Sequence, residues 1–238
     1  MGAVWGVVSG KFAITAAGLL IASRIGQGSL PALIDPRVAT SAVTRDFALR
    51  RHLIPTPDVR ATVSRRPLTI GIGAEEFDQP SLTVSPTALP SGAEMIIGRD
   101  ILQSHILALD IPRRELSLLE KNEVTRLSRR FTSVPLTVGD DGQLRATISI
   151  NGLSTNAALR LGQAGPLEIG AGLWQSLPSA PGQDAALGFG HMLLSVPSAS
   201  APSSEANPVS LGLEAFRGRT IVIDLPHGRL WISAARET

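Results

Sequence analysis

Two stretches of this chain place an arginine two residues ahead of a glycine and three ahead of a glutamine. They are Ser23-Arg24-Ile25-Gly26-Gln27-Gly28 and Leu159-Arg160-Leu161-Gly162-Gln163-Ala164. Arginine stays cationic at every working pH and presents a planar fork of donors. Two such forks, with Gln27 and Gln163 beside them, could hold a carboxylate, a phosphate or an acidic peptide terminus. They could not act as general base or proton shuttle. Four histidines, His52, His105, His191 and His227, are scattered without metal-ligand spacing, so no metal site is read from them.

Each arginine segment is followed by a second matching block. The first runs Ile97-Gly98-Arg99-Asp100-Ile101-Leu102, then Ala108-Leu109-Asp110-Ile111-Pro112 and Leu116. The other runs Leu211-Gly212-Leu213-Glu214-Ala215-Phe216, then Val222-Ile223-Asp224-Leu225-Pro226 and Leu230. Gly98 precedes Asp110 by 12 residues, and Gly212 precedes Asp224 by 12. Spacing shared over so many positions marks an internal duplication.

These blocks resemble the pepsin/retropepsin superfamily of aspartic proteases in its compact two-lobed bacterial form. The resemblance rests on Ile96-Ile97-Gly98, on the looser Ser210-Leu211-Gly212, and on the closing segments Leu107–Leu118 and Ile221–Ile232. It implies an all-β fold of two pseudo-symmetric β-barrel lobes with short helices and a central cleft. It also implies an Asp-Thr/Ser-Gly loop in each lobe. In the alignment of the two arginine segments those loops are degenerate: Arg24 and Arg160 stand where the aspartates belong, Ile25 and Leu161 replace the hydroxyl residues, and only Gly26 and Gly162 remain. Aspartic proteolysis requires two carboxylates sharing one proton, so no catalytic residue is assigned. A pseudo-two-fold axis would bring the two guanidiniums together. At 4 Å they would repel by about 4 kcal/mol at an effective dielectric near 20, unless an anion or neighbouring acids relieved them.

Asp35, in Leu33-Ile34-Asp35-Pro36-Arg37, offers another register, as a damaged Leu-Ile-Asp-Thr-Gly. Against that register, Leu167-Glu168-Ile169-Gly170 has glycine at the corresponding place. Asp followed by Pro also suits a helix N-cap with proline at the first helical position. The expectation is therefore a helix running from Pro36 toward Arg51.

Composition narrows the function classes. Cysteine is absent, which excludes disulfides, thiolate metal sites and cysteine nucleophiles. The net charge is only +2 and the arginine pairs, such as Arg65-Arg66, are isolated, so no nucleic-acid surface is expected. The glycine pairs Gly71-Ile72-Gly73 and Gly188-Phe189-Gly190 lack the strand–helix context of a nucleotide loop, and no cofactor is expected. The apolar run Phe12–Ala22 is too short to span a bilayer. It has the length of a signal-peptide core, but the repeat favours two strands, with any leader already removed. The resemblance implies a periplasmic or secreted bacterial protein.

The elements that must position these residues follow. Residues 1–120 form the expected first lobe, 121–131 a charged linker and 132–238 the second lobe. Strands are expected near Val4–Ser9, Lys11–Ala16, Leu19–Ile25, Leu68–Ile72 and Ser81–Val84, then a closing pair at Leu107–Asp110 and Leu116–Leu118. The low-complexity stretch Ser195–Pro208 is expected to be a mobile surface loop. Three readings are open: a pseudoprotease binding a peptide or protein partner, an anion or small-ligand binder, and an active peptidase built on Asp35 with an unidentified second acid. Nothing in the chain fixes an oligomeric state.

Overall fold

The computed structural model describes residues 10–54, 62–63, 68–73, 75–79, 82–85, 87–119, 123, 130–162, 165–177, 184–201 and 209–235. The first half contains β1 (Gly10–Thr15), β2 (Gly18–Ile25), β3 (Gly28–Ile34), β4 (Ala42–Thr44), α1 (Arg45–Arg50), β5 (Thr62–Val63), β6 (Leu68–Ile72), β7 (Glu75–Gln79), β8 (Leu82–Ser85), β9 (Met95–Ile97), α2 (Arg99–Leu102), β10 (Ile106–Asp110) and β11 (Glu115–Leu119). The second contains β12 (Phe131–Val138), β13 (Leu144–Ile150), β14 (Leu153–Arg160), β15 (Leu167–Gly170), α3 (Ala171–Ser176), β16 (Ala185–Phe189), β17 (Met192–Val196), β18 (Ala199–Ala201), β19 (Val209–Gly212), β20 (Thr220–Asp224) and β21 (Arg229–Ser233). Short 3₁₀ turns lie at Pro90–Gly92 and Leu213–Phe216. The protein is mostly β, as expected.

An antiparallel platform joins the halves. β1 pairs with β11, β11 with β10, β10 with β20, β20 with β21, and β21 with β12. At its centre the duplicated closing segments meet, with Leu107 opposite Ile223 and Leu109 opposite Ile221. β10 and β20 are buried along their whole length, which explains their near-continuous apolar sequence. Asp110 and Asp224 then shape the turns that follow. Each carboxylate accepts a backbone N–H three residues on, Arg113 at 3.2 Å and His227 at 3.2 Å.

Above the platform each half repeats one pairing pattern. β3 runs parallel to β9 while β4 pairs antiparallel on the other side of β9. β14 runs parallel to β19 while β15 pairs antiparallel on its far side. The apolar residues of both halves form one large core that includes Phe47, Phe189 and Phe216.

Several expectations need correction. No helix begins at Pro36. Residues 35–41 form turns and bends, and α1 starts at Arg45 with Thr44 Oγ1 accepting from Phe47 N. Part of Ser195–Pro208 is ordered, because β17 reaches Val196 and β18 pairs in parallel with β15. Strand β3 occupies a stretch, between the expected strand ending at Ile25 and the expected helix from Pro36, for which no element was anticipated. The strand expected at Val4–Ser9 and most of the 121–131 linker lie outside the described residues.

Candidate active-site cleft

Register decides which residues are counterparts. Ile34 pairs with Ile97 at the end of the parallel β3–β9 ladder, and Asp35 N donates to Ile97 O at 3.1 Å. Asp35 therefore stands beside Gly98. In the second half Arg160 pairs directly with Gly212 at the end of the β14–β19 ladder. Asp35 and Arg160 thus hold matching places, and Arg24 does not.

Arg24 belongs to a different feature. Along β2 the residues Leu19, Ile21, Ser23 and Ile25 are buried while Ala22 and Arg24 are exposed, the alternation that a half-buried strand imposes. The Arg24 guanidinium forms an ion pair with Glu76 at 3.1 Å and lies over Gly71, where a Cβ would come within 2.8 Å of Arg24 Nε. Ile25 is a core residue, and Gly26, with φ of 55°, and exposed Gln27 make the β2–β3 turn. The expected repulsion between Arg24 and Arg160 does not arise. Gln163 lies outside the described residues.

Asp35 is buried, at 8% exposure, and its own neighbour occupies it. Arg37 Nε donates to Oδ1 at 2.9 Å, Arg37 Nη2 to Oδ2 at 2.8 Å, and Arg37 N to Oδ1 at 3.0 Å. This two-pronged contact is the geometry in which guanidinium and carboxylate bind best. The hydrogen bond from Arg37 to Asp35 raises the guanidinium pKa above its ordinary range; desolvation opposes this and Coulombic attraction to Asp35 adds to it.

The loop carrying Asp35 is braced from below. Ser41 is fully buried; its N donates to Asp100 Oδ2 at 2.9 Å and its hydroxyl to Asp100 Oδ1 at 2.6 Å, while Gly98 N donates to Ser41 Oγ at 2.8 Å. Arg99 Nη1 donates to the carbonyls of Pro36 and Arg37, both at 3.0 Å. Gly98 is required here because a Cβ would fall 2.7 Å from Val38 O. Such a clash with backbone would force the loop outward.

The halves also reach into one another. A Cβ on Gly162 would meet Thr15 O at 2.5 Å and Gly18 N at 2.6 Å, in the β1–β2 turn. A Cβ on Gly142, in the β12–β13 turn, would meet Arg37 O at 2.6 Å. Between them lies a cavity of about 360 Å³, whose charged lining is Asp35, Arg37, Arg160 and Glu168. Pro36 and Leu161, the residues directly after Asp35 and Arg160, are buried and line a small apolar pocket beneath it with Leu107 and Ile223. Glu168 takes the register position that buried Ala42 holds in the first half. The sequence signals that could have found this arrangement are the apolar-apolar-Asp of Leu33-Ile34-Asp35 and the acid at Glu168.

The solved structures that resemble this one settle the architecture. The aspartic proteinase from Irpex lacteus superposes with a TM-score of 0.60 over 95% of this chain and 97% of its own, at 11% identity. The fold is that of the aspartic proteinases. Basic 7S globulin from soybean matches equally well, with a TM-score of 0.60, 11% identity and 95% of each chain covered. Conglutin gamma, a basic 7S globulin from lupine seeds, matches with a TM-score of 0.59 at 9% identity, over 95% of this chain and 94% of its own. No protein-family model matches the chain, and no curated protein matches it in sequence.

Within that aspartic-proteinase fold the matched positions carry charges of opposite sign. A guanidinium cannot share a proton with a carboxylate as a second carboxylate would. Among the described residues no group of three or more His, Asp or Glu could hold a metal ion. No helix among them is long and apolar enough to cross a membrane.

Proposed function

We propose that this protein is a catalytically silent relative of the aspartic proteinases that binds peptide or protein segments in a cleft between two lobes, residues 1–120 and 132–238. One observation carries the proposal. The single acid at a matched position, Asp35, is forked by Arg37, and the opposite position holds Arg160. Proteolysis by this fold needs one carboxylate to activate water while the other protonates the carbonyl. Arg160 can do neither, and Arg37 occupies both oxygens of Asp35. Binding makes no such demand, because the cavity offers charged forks and apolar walls without any proton transfer.

The test is retention without cleavage. A mixed peptide library is incubated with the protein between pH 3 and 8, and the protein-bound fraction is isolated by size exclusion and read by mass spectrometry. Intact peptides in that fraction are the expected result. Shortened products that accumulate with time would overturn the proposal.

A further inference from the structure

The chemistry of the ligand narrows further, on the reading that the cleft binds without cutting. The cavity of about 360 Å³ lies at the lower end of the roughly 300–1,000 Å³ of small-ligand sites, so it suits one long side chain better than a length of polypeptide. Both arginines on its lining are committed: Arg37 forks Asp35, and Arg160 is engaged within the chain. Glu168 differs from them. It accepts one hydrogen bond from a hydroxyl, Ser210 Oγ to Oε2 at 3.3 Å, and no ion pair among the described residues holds it.

The fold gives this acid an exacting place. Glu168 pairs with Ser210 across β19, and the first half puts Ala42 opposite Ile96 at the same register. Ala42 is buried there, whereas Glu168 is a half-buried carboxylate that has lost part of its hydration. One hydrogen bond of 3.3 Å replaces little of that loss. Ser210, only 3% exposed, sits at the paired position and fixes Oε2, which leaves Oε1 to the cavity. Beside it on the lining stand Leu144, Leu159 and Leu161, all buried.

We infer that the cavity receives a lysine side chain of a bound peptide, its ammonium on Glu168 Oε1 and its methylene stem against the three leucines. A long apolar stem with a charged tip matches an apolar wall beside an acid. Lysine is favoured over arginine because of Ser210. A guanidinium binds a carboxylate best through both oxygens, and one is already taken, whereas an ammonium is a compact charge that one oxygen can hold. Arg160 keeps its own contacts. It pairs with Gly212 on the other side of β19, so two strand spacings and a two-residue stagger set its Cα about 12 Å from that of Glu168.

Calorimetric titration of the full chain with acetyl-alanyl-lysyl-alanine amide tests this, beside the same peptide carrying norleucine, side-chain-acetylated lysine or arginine at the centre. The norleucine and acetylated peptides should bind about tenfold or more weakly, because each lacks the charge-assisted contact, with the arginine peptide in between. Glu168→Gln should bring the lysine and norleucine peptides to equal affinity while the far-ultraviolet circular dichroism stays unchanged. The norleucine comparison needs no variant, so it decides even where Glu168→Gln fails to fold. Equal affinity of the parent for the lysine and norleucine peptides would overturn the inference and leave the cleft reading standing. A lysine preference that survives in Glu168→Gln would do the same. Binding of none of the four would also overturn it, and retention of longer library peptides then judges the cleft reading separately. Cleavage of any of them would overturn the silent-cleft reading on which the inference rests.

Discussion

If Asp35 is a structural partner of Arg37 instead of a reactive acid, removing it should cost stability. Asp35→Ala deletes three hydrogen bonds, to Arg37 N, Nε and Nη2 at 3.0, 2.9 and 2.8 Å. The backbone bond is worth about 1 kcal/mol. The ionic contacts are discounted toward about 0.5 kcal/mol each, because the Arg37 side chain is 56% exposed and water re-solvates it once freed. The expected loss is about 2 kcal/mol, or a Tm lower by about 4–8 °C for a chain of this size. Arg37→Ala should cost at least as much, since it leaves a buried carboxylate unpaired. The double variant should lose less than the sum, with a coupling of about 1–2 kcal/mol. Urea titrations of the four proteins at pH 7, followed by circular dichroism, measure all three terms. An Asp35→Ala protein as stable as the parent, or more stable, would refute the reasoning. That is the behaviour of a carboxylate held in place for chemistry at the expense of stability.

Other substitutions probe the surrounding frame. Gly162→Ala should destabilise by about 1–3 kcal/mol, because the new methyl would meet backbone atoms of the β1–β2 turn at 2.5–2.8 Å; chemical denaturation reads the loss. Arg24→Ala should change stability by about 0.5 kcal/mol or less and leave peptide binding untouched, since its ion pair with Glu76 is exposed and remote from the cavity lining. Asp224→Ala should cost about 2–4 kcal/mol, because this fully buried carboxylate accepts from His227 N, His227 Nδ1 and Trp231 Nε1. The tryptophan signal in near-ultraviolet circular dichroism should shift with it.

The closing part of each repeat is legible in the sequence because its residues answer to strict demands. Gly98 is pressed against the Val38 carbonyl, and Asp110 and Asp224 each cap a tight turn. The 12-residue Gly-to-Asp spacing is the same in both copies. The first-half site is not legible in the same way. Arg24-Ile25-Gly26-Gln27 and Arg160-Leu161-Gly162-Gln163 are alike in letters but not in place. The first ends a strand and turns a hairpin, while Arg160 and Leu161 enter the cleft. The counterpart of Arg160 is Asp35, one hairpin further along: Leu33-Ile34-Asp35 hints at it, and the β3–β9 and β14–β19 registers establish it. Asp-Pro reads locally as a helix start, and tertiary pairing overrides that preference. Asp35 N is committed to Ile97 O and its carboxylate to Arg37, so the next helix waits until Arg45.

As the matched residues of an aspartic-proteinase fold, Asp35 and Arg160 are proposed to be incapable of proteolysis. A peptidase assay on a mixed peptide library from pH 3 to 8, run beside Asp35→Ala, tests it most directly. The account predicts no turnover at any pH from either protein. Turnover in the parent that disappears in Asp35→Ala would contradict it and make Asp35 a working catalytic acid.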